Sequence, residues 1–591
     1  MLHSHFITRP ARFATELFAM FLIASIHPAS AADDSAKDLE AQAKAFIADA
    51  EKTLIPLDVA QGNAWWVANT TGTDEAYERS QEAQNKIDAV LSDREAFAKL
   101  KRIHDAIEKR AADKGQARVD PLVARQIKLM YLRRLGKQVD PSLLREVTKL
   151  SNKIEKAFNA YRAVIDGKEH NDNDLTKVLK ESTDSAALRK AWEGSKGIAP
   201  LIRDDLLQLV RTRNRIAVLL GFENYQQMSL KLEEHDAEAL LKLFDELDDL
   251  TRDAFKGAKA DLDARLAKRL KVEVKDLRPW HYQNPFFQEP PAVYDVDLDS
   301  LYQGQDIVKL SRDFYRSIGL PVDAVLDHSD LFPREKGSKE KKSPHAFCTD
   351  IDRAGDVRVL ANIAPDERWM STMLHELGHA VYSSQYYPQK LPFYLRDAAH
   401  TLTTEGLAMT FERQTKVLGW MDKANVAPRG VKDRAATAEV ARQMLRNKLL
   451  IFSRWAQVMF RFEKGMYENP DQDLNKLWWD LVEKYQMLRR PEGRNAPDYA
   501  SKIHIVVAPV YYHNYALGEL FASQVHAAMC KRALRGVSPH DVSYYGDKRV
   551  GEFVRKEIIE PGTTLSWNDL MLKATGERLN PKAFAKDMAA R

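Results

Sequence analysis

The chain is poor in cysteine. Its 591 residues include two, Cys348 and Cys530, and neither sits in a Cys-x-x-Cys pair. That excludes a disulfide-built scaffold and a thiolate zinc site, and both thiols are expected as small buried apolar side chains. An excess of one charge sign is also missing: 89 Lys and Arg against 85 Asp and Glu leave a net charge of +4. Nothing in that balance favours nucleic acid as a partner. No fixed-period repeat recurs. Beyond the first 31 residues no run reaches about 18 apolar positions, so the mature chain is expected to have no membrane span.

What is present divides into a short leader and a long helical body. Arg9 and Arg12 precede the apolar run "LFAMFLIASI" (17–26), followed by "PASAADD" with small residues at Ala29 and Ala31. A basic start, a short apolar stretch and an Ala-x-Ala site predict a signal peptide over residues 1–31 and a secreted, periplasmic protein. With 44% hydrophobic and 29% charged residues, positions 32–591 read as globular. Segments such as "AKDLEAQAKAFIADAEKTLIPL" (36–57) carry apolar residues at three- and four-residue spacing, and this pattern dominates the chain. Three stretches break it. Residues 278–300 hold four prolines and cannot form one helix. Residues 333–344, "PREKGSKEKKSP", read as a charged loop. Residues 345–363 alternate on both sides of "RAGD", which predicts a β-hairpin. The fold class is therefore mainly α, with one small sheet just ahead of the next motif.

That motif is "MLHELGHAVYSSQYY" (373–387). On a helix, His375 and His379 share a face and can aim two imidazoles at one point. Glu376 stands beside them, placed to take a proton from a water activated by a metal. A catalytic zinc takes three protein ligands and leaves one position open. Asp397, Glu405 and Glu412 are the candidates for the third. Glu405 is preferred, because Thr403 or Thr404 can cap a new helix there. His400 is too far along for a metzincin-type third histidine. The expected set is His375, His379 and Glu405 around one Zn2+ per chain.

Further segments carry a resemblance. "LPFYLRDAAHTLTTEGLA" (391–408), "SPHAFCTDID" (343–352), "LWWDLVEKYQ" (477–486) and "SKIHIVVAPVYYHNYALGELFASQ" (501–524) are similar to segments of the angiotensin-converting enzyme family of zinc peptidases, in its bacterial secreted branch. "EAQAKAFIADAEKTL" (40–54) and "NAWWVANTT" (63–71) resemble that family's N-terminal helices. The resemblance implies a helical body of two subdomains around a central cleft, zinc on its floor and N-terminal helices as a lid. It implies short peptides as substrates and release of C-terminal dipeptides. By the same resemblance His345 and Ala346 would hold an extended substrate by β-augmentation. His504 and Tyr515 would donate to the oxyanion. Lys502 and Tyr512 would hold the substrate's terminal carboxylate, with Gln283 or its neighbour Tyr282 completing that pocket.

The sequence departs from the family at several points. Met409 stands where the family has an acid that orients a zinc histidine. Val482 and Asn514 stand where animal members carry chloride-binding arginines, so the resemblance does not extend to chloride activation. "PVYYHNY" (509–515) leaves the tyrosine register open by one residue. Two other functions are compatible with these motifs: an oligoendopeptidase of the same fold, and a zinc-holding peptide-binding protein without turnover.

Overall fold

The structure, a computed structural model, describes residues 29–589 except 116, 295, 296, 336, 429, 540 and 541. The expected leader lies outside the described residues but for its last three positions.

The chain opens with four helices: α1 (Ala29–Thr71), α2 (Asp74–Leu91), α3 (Arg94–Ala112) and α4 (Pro121–Leu135). Thr73, Asp93 and Asp120 cap the last three through side-chain oxygens. Each satisfies backbone N–H groups that have no partner within the helix. Pro121 follows its cap at the first helical position, where its missing N–H costs nothing. The apolar stripes of the four helices meet in a core of their own, with Leu54, Leu100, Ile127 and Met130 at its centre and Tyr394 added from outside. Arg125 ties this unit to the rest. Its guanidinium donates to the carbonyl of Thr563 at 2.8 Å and forms a two-point pair with Glu234 at 2.5 and 2.8 Å.

The remaining chain is built on one large core. Against expectation it contains a second small hairpin, β1 (Ala163–Ile165) with β2 (Lys168–His170). Asp166 and Gly167 turn it with φ of 51° and 77°. An Asp-Gly pair is a strong two-residue hairpin signal, masked here by the helical periodicity on either side. Farther on come α5 (Tyr225–Leu232) and α6 (Ala237–Leu270). The proline-rich stretch after α6 keeps only short 3-10 turns, as its composition dictates.

The expected second hairpin is present: β3 (Phe347–Asp350) pairs antiparallel with β4 (Val357–Leu360), Phe347 opposite Leu360. The strand begins at Phe347, so His345 and Ala346 lie just ahead of it. Then come α7 (Glu367–Val381), α8 (Thr401–Glu412), α9 (Val431–Glu468) and α10 (Tyr512–Arg532). Among the described residues no helix is long and apolar enough to cross a membrane.

Two glycines set how closely α7, α8 and α10 approach. A Cβ on Gly378 would lie 2.6 Å from the Ala408 Cα, so α7 and α8 touch backbone to backbone. A Cβ on Gly518 would lie 3.2 Å from both the Glu405 Cβ and the Met409 sulfur, so α10 presses on the other side of α8. Helices packed through larger residues stand about 8–10 Å apart. Here the contact is tight enough for one helix to reach across to another's side chains.

Candidate metal centre and its surroundings

Helix α7 starts at Asp366, whose side chain accepts the Trp369 N–H, and its apolar face (Met370, Met373, Leu374, Leu377) is fully buried. This fixes the opposite face, which presents His375 and His379. Helix α8 begins at His400, not at Thr403 or Thr404. The His400 ring accepts the Leu402 N–H, while the Thr403 hydroxyl donates to the His400 carbonyl. That start places Glu405 in the second turn, facing α7.

The three predicted ligands converge. His375 Nε2 and His379 Nε2 are 3.1 Å apart, and Glu405 Oε2 lies 3.6 Å from the first and 4.0 Å from the second. Ligand atoms about 2.0–2.2 Å from a tetrahedral zinc stand roughly 3.3–3.6 Å from one another. The outer nitrogens supply the fit test. His375 Nδ1 donates to Glu412 Oε2 at 3.0 Å, since a carboxylate only accepts, and His379 Nδ1 shares a hydrogen bond of 2.8 Å with the Thr404 hydroxyl. The two inner nitrogens face each other across 3.1 Å, with the Glu405 carboxylate beside them. Two imidazole nitrogens and a carboxylate oxygen turned to one point call for a positive charge among them, a role that a metal ion fills. The donor set of two imidazoles and one carboxylate suits zinc.

Asp397 takes no part; it pairs with Arg353. Glu412 replaces the orienting acid that Met409 cannot supply. It sits two helical turns after Glu405 and on the same face, a spacing visible in the sequence but not used. Lys448 from α9 donates to its other oxygen at 2.5 Å. Burial alone would raise the Glu412 carboxyl, but Lys448 and His375 hold it far below the usual range. Thr404 and Lys448 are the other partners that sequence reasoning missed.

Glu376 is 7% exposed. Burial pushes its carboxyl up to about 7, with His375 opposing and the charges of Glu405 and Glu412 adding to the rise. A carboxyl poised there exchanges protons readily at neutral pH.

Lys502 is 6% exposed, with its Nζ over the rings of Phe286, Trp455 and Tyr512. Its one hydrogen bond of 2.7 Å goes to a neutral acceptor, Gln288 Oε1, which the Tyr512 hydroxyl approaches at 3.4 Å. Among the described residues no carboxylate pairs with it. Burial pulls its pKa down to about 8, with Glu289 opposing.

Gln283 is not part of this group. Its side chain accepts the Ala292 N–H at 2.8 Å, and Tyr282 is bound to Lys259 and Asp263. Gln288 holds the position instead, because the proline-rich loop turns at Gln283 with φ of 60°.

Three tyrosines border this group, and the Glu405 charge bears on both Tyr511 and Tyr515. Tyr512 faces Lys502 and Gln288, and Tyr515, one turn on, packs on Phe452 and Tyr512. Burial and then the Glu405 charge raise the Tyr515 pKa, so its hydroxyl keeps its proton. The His504 ring lies 5.3 Å from Tyr512. Burial and then the Lys502 charge pull it down to about 4, so it is neutral at pH 7 with one N–H to donate. His345 is exposed, and its backbone N–H meets Ser343. A cavity of about 1,100 Å³ lies past the C-terminal end of α8 among Arg413, Gln414 and Arg442, and none of the three ligands lines it.

A family model described as angiotensin-converting enzyme matches residues 37–254 and 283–586. Among curated relatives, the angiotensin-converting enzyme of Sus scrofa is 23% identical over 585 residues, 94% of this chain and 43% of the relative. That of Bos taurus is 22% identical over 430 residues, 68% of this chain and 32% of the relative. The angiotensin-converting enzyme-like protein Ace3 of Mus musculus is 22% identical over 500 residues, 79% of this chain and 66% of the relative. The chain thus spans less than half the length of the pig and cattle relatives. The match covers both the metal-centre helices and the N-terminal unit, and the chain belongs to the angiotensin-converting enzyme family, a family of zinc metallopeptidases.

Proposed function

We propose that the protein is a secreted zinc peptidase that releases dipeptides from the free C-terminus of oligopeptides. The observation that carries this reading is Lys502: a buried ammonium in an aromatic frame whose one hydrogen bond goes to a neutral amide. Buried charges are ordinarily paired, and a substrate's terminal carboxylate would supply the missing partner. Gln288 and Tyr512 would complete the grip.

When bound, zinc supplies Lewis acidity towards the scissile carbonyl and the attacking water. His375, His379 and Glu405 would hold it, with the His375 imidazole kept in one tautomer by Glu412 and the His379 ring oriented by Thr404. Glu376 takes a proton from the attacking water and passes it to the leaving nitrogen. The His504 N–H and the Tyr515 hydroxyl donate to the carbonyl oxygen as it gains charge. Ahead of β3, the backbone at His345 and Ala346 would pair with the extended substrate. The four N-terminal helices would act as a lid that admits only short, unfolded peptides. The chemistry needs no chloride: Val482 is apolar and buried, and the Asn514 amide is engaged by Glu233 and His235.

The test is a peptide offered with a free and an amidated C-terminus, its products read by mass. The free form should lose two residues at a time. Amidation should lower kcat/KM by about 10²-fold or more, the scale of losing one member of a buried charge pair. Equal rates, or internal cuts in both peptides, would replace this reading with an oligoendopeptidase. Absence of any cleavage by zinc-loaded protein would leave a peptide-binding protein.

A further inference from the structure

A second group of ligand-type side chains lies away from the HELGH helix in sequence. Glu233 directly follows α5, His235 comes two residues later, and His513 is in the first turn of α10. One ligand atom from each, a ring nitrogen of the two histidines and a carboxylate oxygen of Glu233, lie within 4.8 Å of one another. His235 is 4% exposed and His513 1%. In this closed setting His235 Nδ1 and His513 Nε2 have no hydrogen-bond partner.

The surrounding bonds fix the protonation. Asn514 Nδ2 donates to Glu233 Oε2 at 3.1 Å, and a carboxylate only accepts, so the amide oxygen faces the other way. That oxygen lies 3.2 Å from His235 Nε2, which must therefore carry the proton. His235 Nδ1 is left with a bare lone pair. His400, whose ring centre is 4.7 Å from that of His235, does not compete as a ligand. Its Nδ1 accepts the Leu402 N–H, so its proton sits on Nε2, 3.8 Å from Glu233 Oε2. It steadies the glutamate.

Burial keeps the imidazoles neutral: His235 is drawn down to about 4 and His513 well below its ordinary value. Burial also raises the Glu233 carboxyl, with Asn514 opposing. An unpartnered lone pair on His235, an unpartnered ring nitrogen on His513 and a poorly solvated carboxylate are together short of one thing, a cation.

We infer that Glu233, His235 and His513 form a second divalent-metal site, distinct from the one at His375, His379 and Glu405. Two imidazoles and one carboxylate select zinc-class ions over magnesium or calcium, which prefer all-oxygen sites. The site is structural by position. It joins the turn between α5 and α6 to the start of α10, which carries Tyr512 and Tyr515. Through His400 it also borders the N-terminus of α8, which carries Glu405. The neighbouring Glu234, in the left-handed region at φ 60°, gives its carboxylate to Arg125 and Lys128 and adds nothing to the ligand set.

The whole chain, stripped by a chelator, reloaded with Zn2+ and desalted, is to be assayed for metal by mass spectrometry. Wild type should retain two zinc ions per chain. His513→Gln and Glu233→Gln should each retain one, His379→Gln one, and His379→Gln with Glu233→Gln none. Zinc should also raise the Tm of His379→Gln protein, and that rise should vanish when Glu233→Gln is added. Glu233→Gln keeps the shape and the hydrogen-bonding capacity of the side chain, so it decides the matter if His513→Gln does not fold. A single zinc in wild type overturns the inference, as does a second zinc that persists in Glu233→Gln, which would mark it as surface-bound. A second zinc lost from Glu233→Gln while peptide hydrolysis is absent throughout supports this site and counts against the proposed activity alone.

Discussion

The metal centre and the Lys502 pocket are opposite kinds of imbalance. Around His375 and His379 stand three carboxylates, Glu376, Glu405 and Glu412, against the ammonium of Lys448, with two ring nitrogens turned inward. Around Lys502 stand three aromatic rings and an amide, and among the described residues no anion is paired to it. One region lacks a cation and the other an anion. Their supports differ too. The metal ligands sit on helices fixed by backbone contact, while Gln288 comes from an irregular loop. A resident ion suits the first and a ligand that comes and goes suits the second. The two regions should therefore fail in separable ways: damage to the first in metal content and kcat, damage to the second in KM.

The sharpest test of that separation is Glu376→Gln. It should lower kcat by about 10²–10⁴-fold, the span of general acid–base catalysis, while zinc content and KM hold steady. Equal rates would remove Glu376 from the chemistry.

Next is Glu412→Gln, which leaves an acceptor for His375 Nδ1 but deletes the charge. Zinc affinity, read by competition with a chelator, should fall about 10–100-fold, with KM unchanged. Unaltered affinity would mean that Met409 has been compensated elsewhere.

A smaller effect belongs to Lys502 and pH. With its pKa drawn to about 8, Lys502 is charged below that value and neutral above it. KM for free-carboxylate peptides should stay flat on the acid side and then climb, approaching about tenfold per pH unit above pH 8. Amidated peptides should show no such climb. If both climb together, the titrating group lies in the metal centre and the separation breaks.

Smallest of all is the effect of chloride. Titration with chloride at constant ionic strength should leave kcat/KM unchanged, since Val482 and the engaged Asn514 offer no cationic seat.

Legibility in the sequence followed the distance between partners. His375, Glu376 and His379 lie within five positions, and helix periodicity alone places two of them on one face. The hairpin at β3 and β4 was signalled by alternation around Gly355 and Asp356, and the irregular stretch by its prolines. Glu405 came from its expected place at the start of a helix, although His400, not a threonine, caps that helix. What escaped were contacts between distant segments. Gln288 stands where Gln283 was expected because a left-handed residue redirects the loop, and no pattern of polarity reports that. Lys448 reads as any helical lysine until its carboxylate partner is known. Glu233 and Asn514 lie 281 positions apart, and only tertiary structure brings Glu233 and His235 to His513. The Asp166–Gly167 turn was legible but overruled by the helical rhythm around it.

The backbone contact at Gly378 carries a consequence for assembly. Because α7 and α8 meet without intervening side chains, the separation of the ligand rings from Glu405 is built into the scaffold before any ion arrives. Loading then becomes a local event that costs little reordering, and an apoprotein emptied by a chelator keeps its shape and waits, ready to be refilled.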